Sequence, residues 1–348
     1  MWPPRFFRGG FFYFCLMQLR YSFIVPVYNR PQEIVELLDS LDKSVFPHPF
    51  EIVVVEDGSS LTAEEQINAF RPRLDISYYY KENTGPGHSR NYGMQRAKGT
   101  YFIILDSDCL VPANYLETVS SFLNQNYVDC YGGADAAHPS FSKLQKAINY
   151  VMTSFLTTGG IRGNKNAIQD FEPRSFNMGI SKEAFEKTGG FGKIHPGEDP
   201  DLSQRIKKEG FQTAFIPDAY VYHKRRITWK GFYTQVRKFG LVRPILNSWH
   251  PSASKPTFWL PSVFVGGSLL SLVLAITLSP LWAVPLCLYV LLIGVDSALK
   301  NSSATIGFYA MGAVFIQFYG YGIAFMESTY HIRWLKKDPK KKFPQLFF

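Results

Sequence analysis

The chain has 348 residues and a net charge of +9, and its length suffices for one sizeable α/β domain and a smaller unit. The positive charge is concentrated in 224–243 and 333–342, on either side of apolar segments. This placement indicates an anionic membrane surface as a partner and argues against nucleic acid. The cysteines lack metal-ligand spacing, which argues against a zinc site or a disulfide framework and indicates reduced, buried thiols in the cytosol: Cys15, Cys109, Cys130 and Cys287.

The N-terminal segment is apolar only from Phe11 to Met17, which is too short to cross a bilayer. Basic residues precede this stretch, but no small-residue cleavage site follows it, so a signal peptide is not expected. Our hypothesis is that residues 1–16 are an upstream extension and that Met17 is the native start. Residues 1–20 are accordingly set apart from the folded domains.

Strands and helices alternate through the first half of the chain. Short β-branched or apolar runs predict strands at 21–27, 51–55, 75–80 and 101–105. Helices are predicted from Pro31, from a Thr62-x-x-Glu65 capping box, over 85–98 and over 112–124. This order predicts an α/β fold with a mostly parallel sheet, whose ligands lie at the carboxyl ends of the strands.

Polar residues follow three of these strands: Pro26 to Asn29, Glu56 to Gly58, and Asp106 to Asp108. Because the strands are parallel, these ends should converge on one cleft. Two carboxylates at i and i+2, as in Asp106 and Asp108, suit Mg²⁺ or Mn²⁺, which bridge substrate phosphates. On its own such a triplet is an ordinary surface turn, and its position after a buried strand is what favours function.

Other residues support a nucleotide site near the same cleft. Asp57 can accept a ribose hydroxyl or a base N–H, and Gly85 lets the backbone approach a ligand at a helix N-terminus. Arg90 can pair with a phosphate. His223 ends an apolar run and could complete a metal shell, although a lone histidine is as often structural.

The second half of the chain is predicted to be less regular over 134–195, with a short helix from Lys182, and helical over 198–210. Asp199 is predicted as the N-cap of that helix, followed by Pro200 in its first turn. A carboxylate here could instead take the proton of an acceptor hydroxyl. Neighbouring carboxylates raise one another's pKa, which makes such a base more effective at neutral pH.

A membrane-associated region follows. Aromatic and apolar residues from Trp229 to Phe239 recur at helical spacing, which favours an interfacial amphipathic helix. Apolar runs at 258–279 and 281–299 are long enough to span a bilayer, and a third lies at 305–327. The positive-inside rule places the catalytic domain in the cytoplasm. Three spans would place the basic tail outside the cell, against the same rule. Two spans and a re-entrant or interfacial third segment would keep it in the cytoplasm. The length of the last apolar run slightly favours three spans.

Together these motifs resemble family 2 glycosyltransferases with the GT-A fold, over about residues 21–245. The matching segments lie at fixed spacing and are jointly specific: 22–29, 54–59, 83–91, 105–108, 176–180 and 197–202. The expected organisation is a GT-A catalytic domain at 21–225, an interfacial segment at 226–256, a transmembrane region of two to three spans at 257–328 and a basic tail at 329–348.

The resemblance implies inverting transfer from a nucleotide sugar, expected to be a UDP-sugar, to a lipid-linked or cell-envelope glycan acceptor at the inner membrane. It assigns Asp199 as the catalytic base, Asp108 as the direct ligand of Mg²⁺ or Mn²⁺ and Asp106 as a weaker candidate near ribose and metal; His223 is added as a ligand candidate from its own position in the sequence. It also implies a larger set of donor-binding residues, namely Pro26, Tyr28, Asn29, Asp57, Gly85, Arg90 and Asp106. The implied acceptor-side residues are Asn177, Met178, Gly179 and Glu198.

Two departures from the family pattern limit the resemblance. Glu56 stands where the nucleoside motif often has a first Asp. Gln235-Val-Arg-Lys238-Phe239 only partly matches the QxxRW motif of processive synthases, because Lys lacks the bidentate fork of Arg. Transfer of a single sugar is therefore favoured over processive synthesis. A catalytically inactive nucleotide-binding scaffold is disfavoured because Asp108 and Asp199 are both present.

Overall fold

The computed structural model describes residues 19–136, 138, 140–159, 172–224 and 228–348. The hypothesis that Met17 is the native start, and the interpretation of Cys15, concern residues outside these ranges. Within them lie eight strands: β1 (Tyr21–Val27), β2 (Glu51–Asp57), β3 (Asp75–Lys81), β4 (Tyr101–Leu105), β5 (Cys109–Leu110), β6 (Cys130–Ala136), β7 (Asn177–Ser181) and β8 (Thr213–His223).

The helices of the α/β part are α1 (Pro31–Asp42), α2 (Glu64–Asn68), α3 (Pro86–Arg96), α4 (Tyr115–Gln125), α5 (Lys143–Thr153), α6 (Phe155–Thr158), α7 (Lys182–Thr188) and α8 (Glu198–Lys208). The later helices are α9 (Trp229–Trp249), α10 (Leu260–Thr277), α11 (Val284–Lys300), α12 (Ala304–Thr329) and α13 (Pro339–Lys342). A π-helical turn, Tyr330–Trp334, extends α12.

The strands form one sheet in the order β3-β2-β1-β4-β7-β6-β8-β5. The first four strands are parallel, as the alternation of strands and helices predicts, and β1 lies between β2 and β4. The polar residues that follow β1, β2 and β4 therefore lie at the same edge of the sheet. The other half is mixed, since β7 runs antiparallel to β4 and β6 while β6 and β8 are parallel.

Apolar cores cover both faces of the sheet. Helices α1, α2 and α4 pack on one face through residues such as Leu37, Ile67 and Leu116. Helices α3, α7 and α8 pack on the other through Met94, Phe185 and Leu202. Because both faces are covered, the central strands consist of fully buried residues. This layering leaves the strand ends as the place where polar groups can meet a ligand.

One local prediction from the sequence is wrong, and one helix was not predicted. The predicted capping box at Thr62 is absent, since α2 follows Ala63, whose N–H donates to Glu56 Oε2 at 3.0 Å. A capping box instead begins α5, where Ser142 and Gln145 bond reciprocally. Helix α5 lies wholly, and strand β6 partly, within the region 134–195 that was expected to be less regular. The Ser-x-x-Gln pattern at 142–145 could have revealed the helix.

Helix α9 contacts protein along the face that was expected to meet lipid. Phe232 and Val236 are buried in a cluster with residues of α5, α11 and α12. Trp229 and Tyr233, by contrast, remain exposed. The predicted helix is therefore present, but only part of its apolar surface is available to a membrane.

Three helical segments are long and apolar enough to cross a membrane: Pro256–Thr277, Pro280–Lys300 and Ala304–Trp334. Half of the most apolar window of the third is buried within the protein, against 17% and 22% for the first two. The three segments thus match the apolar runs of the sequence but differ in how much surface they offer to lipid.

Candidate active site

The two aspartates after β4 have different surroundings. Asp106 accepts a hydrogen bond from Arg90 Nη2 at 2.7 Å. Asp108 accepts one from Arg30 Nη1 at 2.9 Å, and its Oδ1 lies 3.3 Å from His223 Nε2. The antiparallel pairing of β5 with β8 sets Cys109 opposite His223, which explains why His223 lies beside Asp108.

Asp108 and His223 are suited to binding a divalent metal. Their ligand atoms and the Cys109 sulfur all lie within 4.8 Å of one another. Burial and the charges of Asp108 and Asp106 raise the pKa of the Cys109 thiol well above its usual range, so it stays protonated and is a poor ligand. A carboxylate oxygen and an imidazole nitrogen remain as donors, and substrate oxygens and water can complete such a shell.

Arg90 lies almost fully buried on α3 between two carboxylates, with 3% of its surface exposed. Its Nη1 is 3.1 Å from Glu198 Oε1, opposite the bond to Asp106, and its guanidinium stacks over the Phe191 ring. Burial lowers the pKa of Arg90, but the charges of the surrounding carboxylates outweigh burial and raise it. Arg90 is therefore a fixed cation between β4 and α8.

Glu198 is held in place by hydrogen bonds to two side chains, those of Arg90 and His195. Besides Arg90, it contacts His195 Nδ1 at 2.9 Å. Burial raises the pKa of Glu198, but His195 and Arg90 have the larger combined effect and lower it. Glu198, expected on the acceptor side, lines the same cavity as Asp199, and its carboxylate bonds to Arg90 and His195.

Asp199 does not cap α8, contrary to the prediction. Gly197 occupies the N-cap position with a φ of +120°. Residues other than glycine rarely adopt this backbone conformation. Asp199 lies in the first turn and accepts hydrogen bonds from the Ser175 hydroxyl at 3.1 Å and the Ser175 N–H at 3.3 Å. Burial and the Glu198 charge raise the pKa of Asp199, although Arg90 and Arg174 oppose them.

A cavity of about 920 Å³ connects these groups. On the side of the α/β domain it is lined by Arg90, Asp106, Asp108, Asp199 and His223. Residues of α9, α10 and α12 also line it, among them Lys238, Leu260 and Phe318. The cavity therefore joins the carboxylates of the α/β domain to the apolar helices.

The residues expected to bind the nucleoside lie outside this cavity. Tyr28 is 52% exposed. Asp57 accepts from Lys81 Nζ and from Thr84 N–H. Asn29 Oδ1 accepts from the N–H groups of the turn at Ser60 and Leu61. Of the seven expected donor-binding residues, all within the described ranges, Arg90 and Asp106 line the cavity, whereas the other five do not: Pro26, Tyr28, Asn29, Asp57 and Gly85.

Three of the residues expected on the acceptor side lie within the sheet. Asn177 is fully buried, accepts from Tyr115 OH at 2.6 Å and donates to the carbonyls of Ala134 and Ala219. Met178 is fully buried, and a side chain on Gly179 would overlap the Tyr131 ring. The structure gives these residues packing and hydrogen-bonding roles.

Three residues at the site were not found from the sequence. Arg30 pairs with Asp108, Ser175 positions Asp199, and His195 contacts Glu198. Arg30 directly follows the matched segment 22–29, and that adjacency was an available indication. Ser175 directly precedes the matched segment 176–180 and offered the same indication, whereas His195 lies two residues before the segment 197–202.

Replacing Arg90 tests the structural part of the site. We expect Arg90→Gln to lower the free energy of unfolding by about 3–5 kcal/mol, because the carboxylates of Asp106 and Glu198 would lose their buried counter-ion. Thermal unfolding of the purified full chain in detergent measures the effect. The matched control is Lys98→Gln, an exposed position just beyond the same helix, with an expected change within about 0.5 kcal/mol. Equal stability of the two variants would show that Arg90 is not the counter-ion described.

The sequence matches the model of the family described as "Glycosyl transferase family 2" over residues 22–189. The poly(ribitol-phosphate) β-N-acetylglucosaminyltransferase TarS of Staphylococcus aureus is 33% identical over 114 residues, which cover 32% of this chain and 20% of TarS. Glycosyltransferase GlyG of Streptococcus pneumoniae is 32% identical over 110 residues, which cover 31% of this chain and 36% of GlyG. The chain thus spans between a fifth and about a third of these relatives.

Among solved structures, the mannosyltransferase PcManGT from Pyrobaculum calidifontis, in complex with GDP-Man and Mn²⁺, superposes with a TM-score of 0.62. The match covers 92% of this chain and 88% of that protein at 19% sequence identity. At this identity the likeness concerns the fold. It confirms the predicted fold class, a GT-A type α/β domain followed by apolar helices.

Proposed function

Since residues 22–189 match the model of glycosyl transferase family 2, we propose that the chain transfers a sugar from a nucleotide-sugar donor to an acceptor hydroxyl with inversion. The observation that carries the proposal is the position of Asp199. Its carboxylate has a raised pKa and lies in one cavity with Asp106, Asp108 and His223.

The chemistry follows from these positions. The acceptor oxygen forms a bond to the anomeric carbon, Asp199 takes the hydroxyl proton, and the bond from that carbon to the nucleoside diphosphate breaks. Asp108 and His223 would hold a divalent metal, which neutralises the charge that develops on the leaving diphosphate. Ser175 fixes the orientation of Asp199 by two hydrogen bonds. Arg90 Nη2 donates to Asp106 Oδ1 at 2.7 Å and so fixes the position of that carboxylate.

The choice of metal follows from the donor atoms. Mg²⁺ binds mainly through carboxylate, phosphate and water oxygens. Imidazole nitrogen is a better ligand for ions later in the first transition row, and Mn²⁺ accepts both donors. Because His223 lies beside Asp108, Mn²⁺ is the favoured ion and Mg²⁺ the alternative.

The lining that α9, α10 and α12 contribute to the cavity supports a lipid-linked acceptor. A glycan or phosphate head could reach Asp199 while its lipid stays beside these apolar helices. The basic segment 224–243, which includes much of α9, precedes α10 and α12, and this supports a catalytic domain at the cytoplasmic face of the inner membrane.

A processive synthase is the second candidate, because Gln235, Lys238 and Phe239 of the partial QxxRW match all line the cavity. Product length separates the two functions. A labelled donor should give a single added sugar on each acceptor under the favoured proposal. A ladder of long chains would support the synthase.

A donor screen tests the proposed function. The full chain in detergent or membranes is incubated with UDP-, GDP-, dTDP- and CMP-sugars, with Mn²⁺, Mg²⁺ or a chelator, and release of the nucleotide is measured. At least one donor should turn over only with a divalent ion. Turnover of none of them with either ion, by a folded protein, would contradict the proposal and support the inactive scaffold.

The pH dependence of the rate tests the role of Asp199. A base must be deprotonated, so kcat/KM should fall as the pH decreases through the pKa of Asp199. Because burial and Glu198 raise that pKa, the decrease should begin above the usual titration range of an aspartate. Binding of a nucleoside diphosphate should not follow the same curve. A rate that is constant down to the pH of unfolding would exclude Asp199 as the base.

A further inference from the structure

The end of the chain returns to the α/β domain. Residues 343–348, the last part of the predicted basic tail, are called the tail from here on. They form an antiparallel bridge in which Phe347 lies opposite Ile194. His195 N–H donates to Leu346 O at 2.8 Å, and Phe348 N–H donates to Lys193 O at 3.1 Å. The tail therefore lies against the loop that carries His195, on the side of the membrane that the catalytic domain occupies.

The tail is part of a packed core and not only a surface contact. Phe343 and Leu346 are buried, with 2% and 0% of their surface exposed. They belong to one apolar cluster with Ile194 of the catalytic domain and with Leu241 and Ile245 of α9. Moving the tail away would expose both side chains to water, so the contact belongs to the folded state.

Helix α12 lies along α9 in the same direction. Close contacts join residue 229 to 312, residue 236 to 320 and residue 240 to 321, so the numbers increase together. At Gly240 a Cβ would lie 2.3 Å from Tyr321 O, which shows how closely the two backbones approach. Near the C-terminal end of α12, Ser328 Oγ donates to Leu241 O of α9 at 2.6 Å. Helix α9 in turn follows β8 after a short connection.

The beginning of α12 is also close to the catalytic domain. At the end of α11, just before α12, Asp296 accepts a hydrogen bond from Tyr150 OH of α5 at 2.5 Å. Trp229, at the start of α9, makes an edge contact with Tyr309 of α12. Both ends of α12 thus contact elements attached to the catalytic domain, which a helix crossing a bilayer of about 30 Å could not do.

Helices α10 and α11 have the opposite character. No charged residue occurs between Lys255 and Asp296. At the turn between the two helices Leu278 and Leu281 are 69% and 75% exposed, and Trp282 is half exposed. The segment Pro256–Thr277 has 22 residues, a length of about 33 Å as a helix, which matches the apolar part of a bilayer.

We propose that only the α10–α11 hairpin enters the lipid bilayer and that α12 lies beside α9 at the membrane face. The catalytic domain and the tail then share one side of the membrane. The two basic segments, 224–243 and 333–342, face the same anionic headgroups, so the conflict between three spans and the positive-inside rule disappears. This arrangement does not depend on the reaction that the site catalyses.

Labelling of single cysteines tests the proposal in the full chain, with Cys15 and Cys287 replaced by Ser. The variants are Lys340→Cys, close to the tail, and Ser248→Cys, on the exposed end of α9. A membrane-impermeant maleimide is applied to intact cells and to inverted membrane vesicles. Both positions should react in the same preparation and stay unreactive in the other. Reaction of the two positions in opposite preparations would establish an odd number of crossings and overturn the proposal.

A disulfide between the tail and the catalytic domain gives a second measurement. The hydrogen bonds beside the pair mark Ile194 and Phe347 as a non-hydrogen-bonded antiparallel pair, with Cα atoms about 4.5 Å apart, and this spacing suits a disulfide. We expect Ile194→Cys combined with Phe347→Cys to crosslink in native membranes under mild oxidation. The control, Ile194→Cys with Lys337→Cys, should not crosslink. Absence of the crosslink in a folded double variant would contradict the tail contact.

Discussion

Replacing Asp108 by Ala is expected to reduce metal-dependent turnover by about a thousandfold, equivalent to about 4 kcal/mol of activation free energy. Asp108 provides the carboxylate nearest His223 and is the centre of the proposed metal site. Without it His223 alone cannot hold the ion against the diphosphate. The initial rate of nucleotide release at saturating donor, titrated with Mn²⁺, measures the loss.

The fold should survive this substitution, because Asp108 lies after β4 at the edge of the cavity and Arg30, its partner, can turn to solvent. Unfolding of Asp108→Ala should therefore resemble that of Asp39→Ala, an exposed position on α1 that serves as the control. Near-native turnover of a folded Asp108→Ala protein at low Mn²⁺ would show that the metal is held elsewhere or is not required.

Replacing Asp199 by Asn is expected to reduce turnover by about a hundredfold to ten-thousandfold, the range that a general base contributes. Asn has the shape of Asp: its amide oxygen can still accept the Ser175 N–H, while its NH2 can donate to the Ser175 hydroxyl oxygen, which now accepts instead of donating. The group that takes the proton is lost while the geometry stays. Affinity for the nucleoside diphosphate and metal, measured by calorimetry, should change little.

Asp218→Asn, at an exposed position in β8, provides the matched control and should retain full activity. A second comparison uses Ser175→Ala, which should lower kcat less than Asp199→Asn because the base remains but its orientation is looser. If Asp199→Asn keeps the wild-type rate, a different residue takes the proton. If it loses donor binding to the same extent as activity, Asp199 contacts the donor.

The parallel half of the sheet could be predicted because its determinants are local. Runs such as Ile52 to Val55 and Phe102 to Leu105 are apolar on both faces, and turn residues separate them. The order of β7, β6, β8 and β5 depends on contacts between distant residues, for example Cys109 opposite His223. No pattern in either segment specifies that partner.

The errors at helix starts have a common cause. Thr62 and Asp199 are both residue types that favour the N-cap position. In each case, however, contacts and backbone geometry of the surrounding residues place a different residue there. Ala63 N–H is taken by Glu56, and Gly197 supplies the sharp turn before α8. Propensity describes one residue at a time, whereas a cap requires a particular backbone conformation.

The candidate site could be predicted where strand ends converge, and this is the case for Asp106, Asp108 and His223. It could not be predicted where a side chain points toward or away from the cavity. Asn177 belongs to a matched motif, yet its side chain is buried within the sheet and bonds to Tyr115, whereas Glu198 lines the cavity while it bonds to Arg90. Those directions depend on the packing of β7 and α8 against the rest of the domain.

The most direct test of the proposed site locates the metal. Crystals of the full chain grown with Mn²⁺ and a nucleoside diphosphate are measured at the manganese absorption edge, and an anomalous difference map is calculated. The map should show a peak in contact with the Asp108 carboxylate, with His223 and the diphosphate beside it. A clearly bound diphosphate with no peak there, or with a peak away from Asp108, would contradict the proposed site.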